Sequence, residues 1–191
     1  LPFIRYFRDQ PQSTEGYVPF KAKKSDPACL ANFGQGYHIY VTGLTHNDKG
    51  YPSTDDAAVH TKLVRRICEK ISDNREKLTN VEKDYVEGAK AGIVSYGITS
   101  RAAISAAKRL KKKGINTNSL RLVTVWPFPY KEVHDLAKKV NTIYVPEMNL
   151  GQLYHTVTEA ARGECDVQLL PKIGGVMHTP DDIVKAVVGG K

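Results

Sequence analysis

From about Thr79 onward, short apolar runs alternate with amphipathic stretches. "AGIVSYG" (91–97), "LRLVTVW" (120–126), "NTIYVP" (141–146) and "VQLLPKIGG" (167–175) are compact, β-rich runs bounded by turn residues, the signature of buried strands. Between them lie helical patterns. "TSRAAISAAKRLKKKG" is capped by Thr99 or Ser100 and closed by Gly114. "YKEVHDLAKKV" (130–140) follows the strand-breaking "WPFP", and Gly151 to Arg162 forms the next helix. "TPDDIVKAVV" (179–188) has Thr179 as cap, Pro180 at the first helical position, then Asp181 and Asp182. Strands buried on both sides and alternating with helices predict a doubly wound, mostly parallel sheet with helices on both faces.

The pattern before residue 79 is different. Pro2, Pro11, Pro19 and Pro27 and the "GQG" at 34–36 punctuate an irregular arm. Its aromatics, Phe3, Tyr6, Phe7, Tyr17 and Phe20, are too many for a free tail and predict packing on some surface. "YHIYVTGL" (37–44) alternates and predicts a strand, and "THNDKGYP" a turn. "STDDAAVHTKLVRRICEKI" predicts a long helix, with Ser53 or Thr54 as cap and an apolar stripe of Val59, Leu63, Ile67 and Ile71 beside Val64 and Cys68. The expected organisation is an α/β domain over 79–191, preceded by an extended arm, 1–78, with one strand and one long helix.

Composition narrows the function classes. The 191 residues are 41% hydrophobic and 25% charged, ordinary for a globular chain. No apolar run approaches the roughly 20 residues of a membrane span, so no membrane role is expected. Leu1 reads as a position inside a longer polypeptide. Cys29, Cys68 and Cys165 are dispersed, without the spacing of a metal or iron–sulfur site or of a disulfide framework. Sparse, unpaired cysteines point to a reducing cytoplasm. The net charge of +8 is spread along helix faces without interleaved aromatics, so no nucleic acid is expected. Attraction of an acidic protein is a second reading of that charge.

Three stretches hold candidate chemistry. "SYGITSR" joins a strand end to a helix start, and its Gly97, Thr99 and Ser100 form a weak candidate anion site, since it lacks both GxGxxG and a P-loop lysine. "THNDKGYP" brings His46 and Asp48 close, which admits a metal or acid–base reading against the more ordinary one of a polar turn. With Tyr51, these residues are candidates for a contact with another domain or subunit. In "YVPEMNLGQL", Pro146 is expected to end the strand, and Asn149 to cap the next helix with Gly151 beside it. Glu147, Met148 and Gln152 then lie at the carboxyl edge of the sheet, where α/β domains place binding groups, and are expected at a protein interface.

The strings "VTGLTHNDKGYPSTD", "HTKLVRRICEKI", "IVSYGITSRAA", "LRLVTVWPFP", "VPEMNLGQL" and "LPKIGGVMHTPDDI", in this order, resemble the C-terminal half of the alpha subunit of 2-oxoacid:ferredoxin oxidoreductases. The 2-oxoglutarate type fits best, from about Tyr17 to Val187. The resemblance implies a linker followed by a domain like the C-terminal domain of transketolase. It implies an enzyme that oxidatively decarboxylates a 2-oxoacid, passes the acyl group to coenzyme A and delivers electrons to ferredoxin. Thiamin diphosphate, Mg²⁺ and an iron–sulfur cluster belong to that complex. Expected partners are a thiamin-binding beta subunit, the subunit's own N-terminal domain and, indirectly, ferredoxin, in a hetero-oligomer. The family's "YPITP" and GDG…N motifs are absent, and "GYP" at 50–52 is not the former. No catalytic, cofactor-binding or metal residue carries over, and the chain alone is expected to be inactive. A stand-alone α/β domain binding an acyl-CoA or nucleotide is the alternative.

Overall fold

The computed structural model describes residues 9–24 and 26–189, so the expectations for Pro2, Phe3, Tyr6 and Phe7 lie outside the described residues. The chain divides into two units, one ending at Glu76 and one beginning at Lys77.

In the first unit the arm's aromatics are engaged locally. The Tyr17 hydroxyl donates to the Cys29 carbonyl at 3.1 Å and accepts from Ala31 N at 2.9 Å. The Tyr17 ring meets Tyr37 edge-on at 4.8 Å, and Phe20 lies 4.3 Å from the His46 ring. The strand expected over 37–44 is absent. Among the described residues no segment forms a ladder with it, and Val41 is 69% exposed. Alternation alone selects an extended backbone; a strand also requires a pairing partner. Helix α1 (Ala57–Ser72) starts at Asp56, not at Ser53 or Thr54: the Asp56 carboxylate accepts Ala58 N at 2.8 Å and Val59 N at 3.1 Å. Asp56→Ala should therefore lose about 1 kcal/mol from this helix. Hydrogen exchange at the Ala58 and Val59 amides would show it, and unchanged protection there would contradict the assignment. A short helix, α2 (Arg75–Leu78), follows.

The second unit is built on β1 (Val81–Asp84), β2 (Ala91–Tyr96), α3 (Thr99–Lys112), β3 (Thr117–Leu122), α4 (Tyr130–Ala137), β4 (Thr142–Glu147), α5 (Gln152–Ala161), β5 (Asp166–Pro171) and α6 (Pro180–Gly189). The sheet order is β1-β3-β2-β4-β5, parallel except for β1, which runs antiparallel along β3 from Val81 opposite Leu122 to Asp84 opposite Ser119. This edge strand is missed by the hydrophobic pattern because "VEKD" is mostly exposed and polar. β3 starts at Thr117, earlier than "LRLVTVW" suggests, and ends at Leu122. Asn118 accounts for the early start: it is buried, and its Oδ1 accepts Val86 N at 2.7 Å.

Strand alternation sends side chains to two cores. Ile93 and Tyr144 face α3 and α6, where Ala103, Ala106, Leu110 and Ile183 are buried. Val94, Leu120, Ile143 and Val145 face α4 and α5, with Val133, Leu136, Val157 and Ala160. The doubly wound α/β architecture is thus present, with two helices on each face. α3 starts without a side-chain cap: Ile98 precedes it, and Thr99 instead donates its hydroxyl to the Tyr96 carbonyl at 2.7 Å.

α6 opens with a reciprocal cap. Thr179 Oγ1 accepts Asp182 N at 3.3 Å, while Asp182 Oδ2 accepts Thr179 N at 2.7 Å and lies 2.6 Å from Lys172 Nζ. These donors, Lys172 first, pull the Asp182 carboxyl well below the usual carboxylate range. A depressed folded-state pKa contributes stability that is complete above the unfolded value near 4 and is lost as pH falls through the folded value. Asp182→Asn should remove that part of the acid sensitivity, so the difference between wild type and variant in urea midpoint should shrink as pH is lowered below about 4. A constant difference would contradict it.

Candidate functional site

The chain leaves β2 through α3 to reach β3 on one side, then crosses through α4 to β4 on the other. The carboxyl end of the β2–β4 pair is therefore the switch point, where doubly wound sheets open a crevice. The pairing stops at Ile93 opposite Tyr144, yet β2 runs on to Tyr96 and β4 to Glu147. β4 does not end at Pro146 as expected: Pro146 and Glu147 stay paired to Leu170 and Pro171 of β5. Pro146 lacks a donor, but only one edge of the strand loses its ladder.

Glu147 is 0% exposed. Its carboxylate accepts Leu153 N at 3.0 Å and Tyr154 N at 2.6 Å, and the Tyr96 hydroxyl donates to Oε2 at 3.4 Å. Its carbonyl accepts Lys172 N at 2.8 Å and lies 3.1 Å from His178 Nε2. Asn149 Oδ1 accepts Gly151 N at 2.7 Å and Gln152 N at 3.0 Å, while its amide donates to the Tyr96 hydroxyl at 3.3 Å. Together the two side chains take the free N–H groups of the first turn of α5, with a carboxylate at the positive end of the helix. Gly151 makes the approach feasible: its φ is 106°, and a Cβ there would sit 2.9 Å from Leu169 Cδ2. The Tyr96 phenol is pushed above its ordinary pKa by burial and then by the adjacent Glu147 carboxylate.

Within this chain the Glu147 side chain is thus turned inward, not displayed at the surface as the interface expectation has it. It is the internal cap of α5, a role that the strand-end rule alone does not separate from a surface one. Met148 is half-buried and Gln152 exposed at the same edge. Around them the loops after all four parallel strands expose large apolar side chains. Ile98 follows β2; Val123, Val125 and Trp126 follow β3; Leu150 follows β4; Ile173, Val176 and Met177 follow β5. Trp126 is 71% and Leu150 74% exposed. Residues 97–98, 123–129, 148–151 and 172–179 include no Asp or Glu, and Lys172 is paired with Asp182. An uncharged apolar rim of this kind is costly to leave wet and cheap to desolvate, which suits a protein contact. Val123, Val125 and Trp126 were expected inside the strand "LRLVTVW" and Ile173 inside "VQLLPKIGG", but those strands end at Leu122 and Pro171. Ile98, Leu150, Val176 and Met177 follow no periodicity. Their one signal was position, immediately past each strand's carboxyl end.

The other candidates sit as follows. At the start of α3, Gly97 is exposed with φ 54°, whereas Thr99 and Ser100 are 6% and 1% exposed, so neither hydroxyl is displayed for an anion. In the first unit, His46 and Asp48 each have another partner. The His46 Nδ1 is 2.9 Å from the Asn47 carbonyl, and Asp48 pairs with Lys62 at 2.5 Å. Asn47 organises the turn, its Oδ1 accepting Lys49 N and Tyr51 N, and Tyr51 is 55% exposed. Gly50, with φ 91°, closes it against Tyr40 and Phe20. Among the described residues no three His, Cys, Asp or Glu side chains gather to hold a metal ion, and the cysteines are free and dispersed, so these donors do not fit an iron–sulfur cluster. Among them, too, no helix is long and apolar enough to cross a membrane.

Comparison with known proteins places this geometry. Residues 89–183 match the pyruvate:ferredoxin oxidoreductase core domain II. The 2-oxoglutarate synthase subunit KorA of Methanothermobacter marburgensis is 39% identical over 185 residues, 96% of this chain and 49% of that protein. The ketoisovalerate oxidoreductase subunit VorB of the same organism is 34% identical over 121 residues, 63% of this chain and 34% of that protein. A solved structure of 2-oxoglutarate:ferredoxin oxidoreductase from Magnetococcus marinus, with 2-oxoglutarate, coenzyme A and succinyl-CoA bound, superposes with a TM-score of 0.76 at 26% identity, covering 98% of this chain and 33% of that one. The chain spans about half the length of the 2-oxoglutarate synthase subunits it matches. A core-domain match lying across the described sheet, within a likeness that runs along nearly the whole chain, makes it a member of the 2-oxoacid:ferredoxin oxidoreductase family.

Proposed function

We propose that this chain works as part of the alpha subunit of a 2-oxoglutarate:ferredoxin oxidoreductase, where it is an assembly domain and not the seat of the chemistry. The observation that carries the reading is the 39% identity to a 2-oxoglutarate synthase subunit along 96% of the chain. In the complex, 2-oxoglutarate loses CO₂, the remaining acyl group passes to coenzyme A as succinyl-CoA, and the electrons released reduce ferredoxin. Thiamin diphosphate with Mg²⁺ and an iron–sulfur cluster would supply that chemistry from elsewhere in the complex; the donors of this chain described above do not fit a cluster. This chain contributes the uncharged rim at the strand ends. Ile98, Trp126, Leu150 and Met177 meet the rest of the alpha subunit and the thiamin-binding subunit, and the Glu147–Asn149–Tyr96 cluster fixes the loop that carries Leu150. Co-expression of a tagged chain with those polypeptides should yield a stable hetero-oligomer surviving size exclusion. A monomeric chain in the presence of both would overturn the reading.

A further inference from the structure

The first unit has almost no interior of its own. Among its described residues only Pro19, Ala31 and Gly50 are buried, and none in the 16 residues of α1. A helix of this length is marginal in water unless a face is packed. One side of α1 does form a cleft, of about 530 Å³, with the 18–21 segment and the 46–49 turn. Its apolar lining is Val18, Phe20, Val59 and Leu63. Lys21, Lys49 and Arg66 stand at it as well, and none has a carboxylate within ion-pair distance among the described residues, whereas Lys62 is held by Asp48. The local charge is therefore strongly positive around an apolar floor.

We propose that this cleft docks an acidic segment of a partner polypeptide, seating an aliphatic side chain on the apolar floor and its carboxylates against Lys21, Lys49 and Arg66. Charge complementarity selects the acidic partner. The helix itself selects a polypeptide over a small anion. Positions four apart on an α-helix step round by about 40°, so the stripe that enters the cleft at Val59 and Leu63 continues past it through Ile67 and Ile71 to Val64. Ile67 is 47% and Val64 44% exposed. A small polyanion in the cleft would leave that continuation wet; a docked segment covers both.

The test uses the assembly purified from cells that express the chain with a photo-crosslinking benzoylphenylalanine at Lys49 or at Val64, with crosslinked peptides mapped by mass spectrometry. Both probes should capture the same segment, one in which Asp or Glu flanks an aliphatic residue. Lys21→Glu with Lys49→Glu and Arg66→Glu should lower the Val64 crosslink yield about tenfold at low salt, as expected for reversed rim contacts. Converting the captured acids to Lys should restore it. Yields indifferent to reversal, or capture at neither position, would overturn the proposal. So would binding of inorganic tripolyphosphate to the cleft with Val64 uncaptured, the mark of a small-anion site. If the captured segment belongs to no oxidoreductase subunit, the cleft inference stands and the functional reading fails. An active oxidoreductase assembly with no capture gives the reverse.

Discussion

Glu147→Ala should destabilise the sheet unit by about 3 kcal/mol, because hydrogen bonds to a buried charged acceptor are worth about 1.5–3 kcal/mol each and removal leaves donors unpaired. The Leu153 and Tyr154 amides and the Tyr96 hydroxyl all point at this carboxylate, which has no exposure through which water could replace it. Loss of its volume adds a cavity between β4 and α5. Glu147→Gln keeps one acceptor oxygen but turns an NH₂ toward N–H donors, so it should cost roughly half as much. Urea unfolding at constant m-value would give both numbers, and exchange of the Leu153 and Tyr154 amides should rise in parallel. A Glu147→Gln variant within about 0.5 kcal/mol of wild type, the usual range of surface substitutions, would return Glu147 to the surface role its position in the sequence suggested.

The opposite signature is expected at the rim. Trp126→Asp with Leu150→Asp should leave the urea midpoint nearly unchanged, since both side chains are largely exposed, 71% and 74%. Association with the rest of the complex should weaken by at least about 100-fold, the size of a lost hot spot of 2 kcal/mol or more combined with burial of an unpaired charge. Sedimentation or native mass spectrometry of the co-expressed subunits would read the loss. Normal assembly of the double variant would show that the strand-end loops are not the contact. The two experiments separate residues three positions apart: Glu147, the last residue of β4, holds the domain together from inside, and Leu150, in the loop after it, faces outward.

The alternation of compact apolar runs with amphipathic ones was enough to find β2, β4 and α3 to α6, since each buries the stripe that its period predicts. β1 was invisible because an edge strand covered on one side needs no apolar run. The segment at 37–44 failed the other way, an alternating run that finds no partner strand. Chain pattern records which residues avoid water; pairing depends on what lies alongside in space. The same limit explains Glu147. Its place past an apolar strand was legible, but the donors that fix its role come from residues six and seven positions later, turned back on it by Gly151. The rim was illegible for a related reason. Trp126, Leu150 and Met177 are far apart in sequence, and only the parallel sheet gathers strand ends at one edge.

Whether this chain is an assembly domain is decided by 2-oxoglutarate-dependent reduction of methyl viologen with thiamin diphosphate, Mg²⁺ and coenzyme A supplied. It should be measured for the chain alone and for the chain assembled with the remainder of its alpha subunit and the thiamin-binding subunit. The chain alone should give no turnover, the assembly should turn over, and activity should fall to background when assembly is attempted with the Trp126→Asp, Leu150→Asp chain. Turnover by the isolated chain, or full activity with the rim reversed in polarity, would contradict the assembly role.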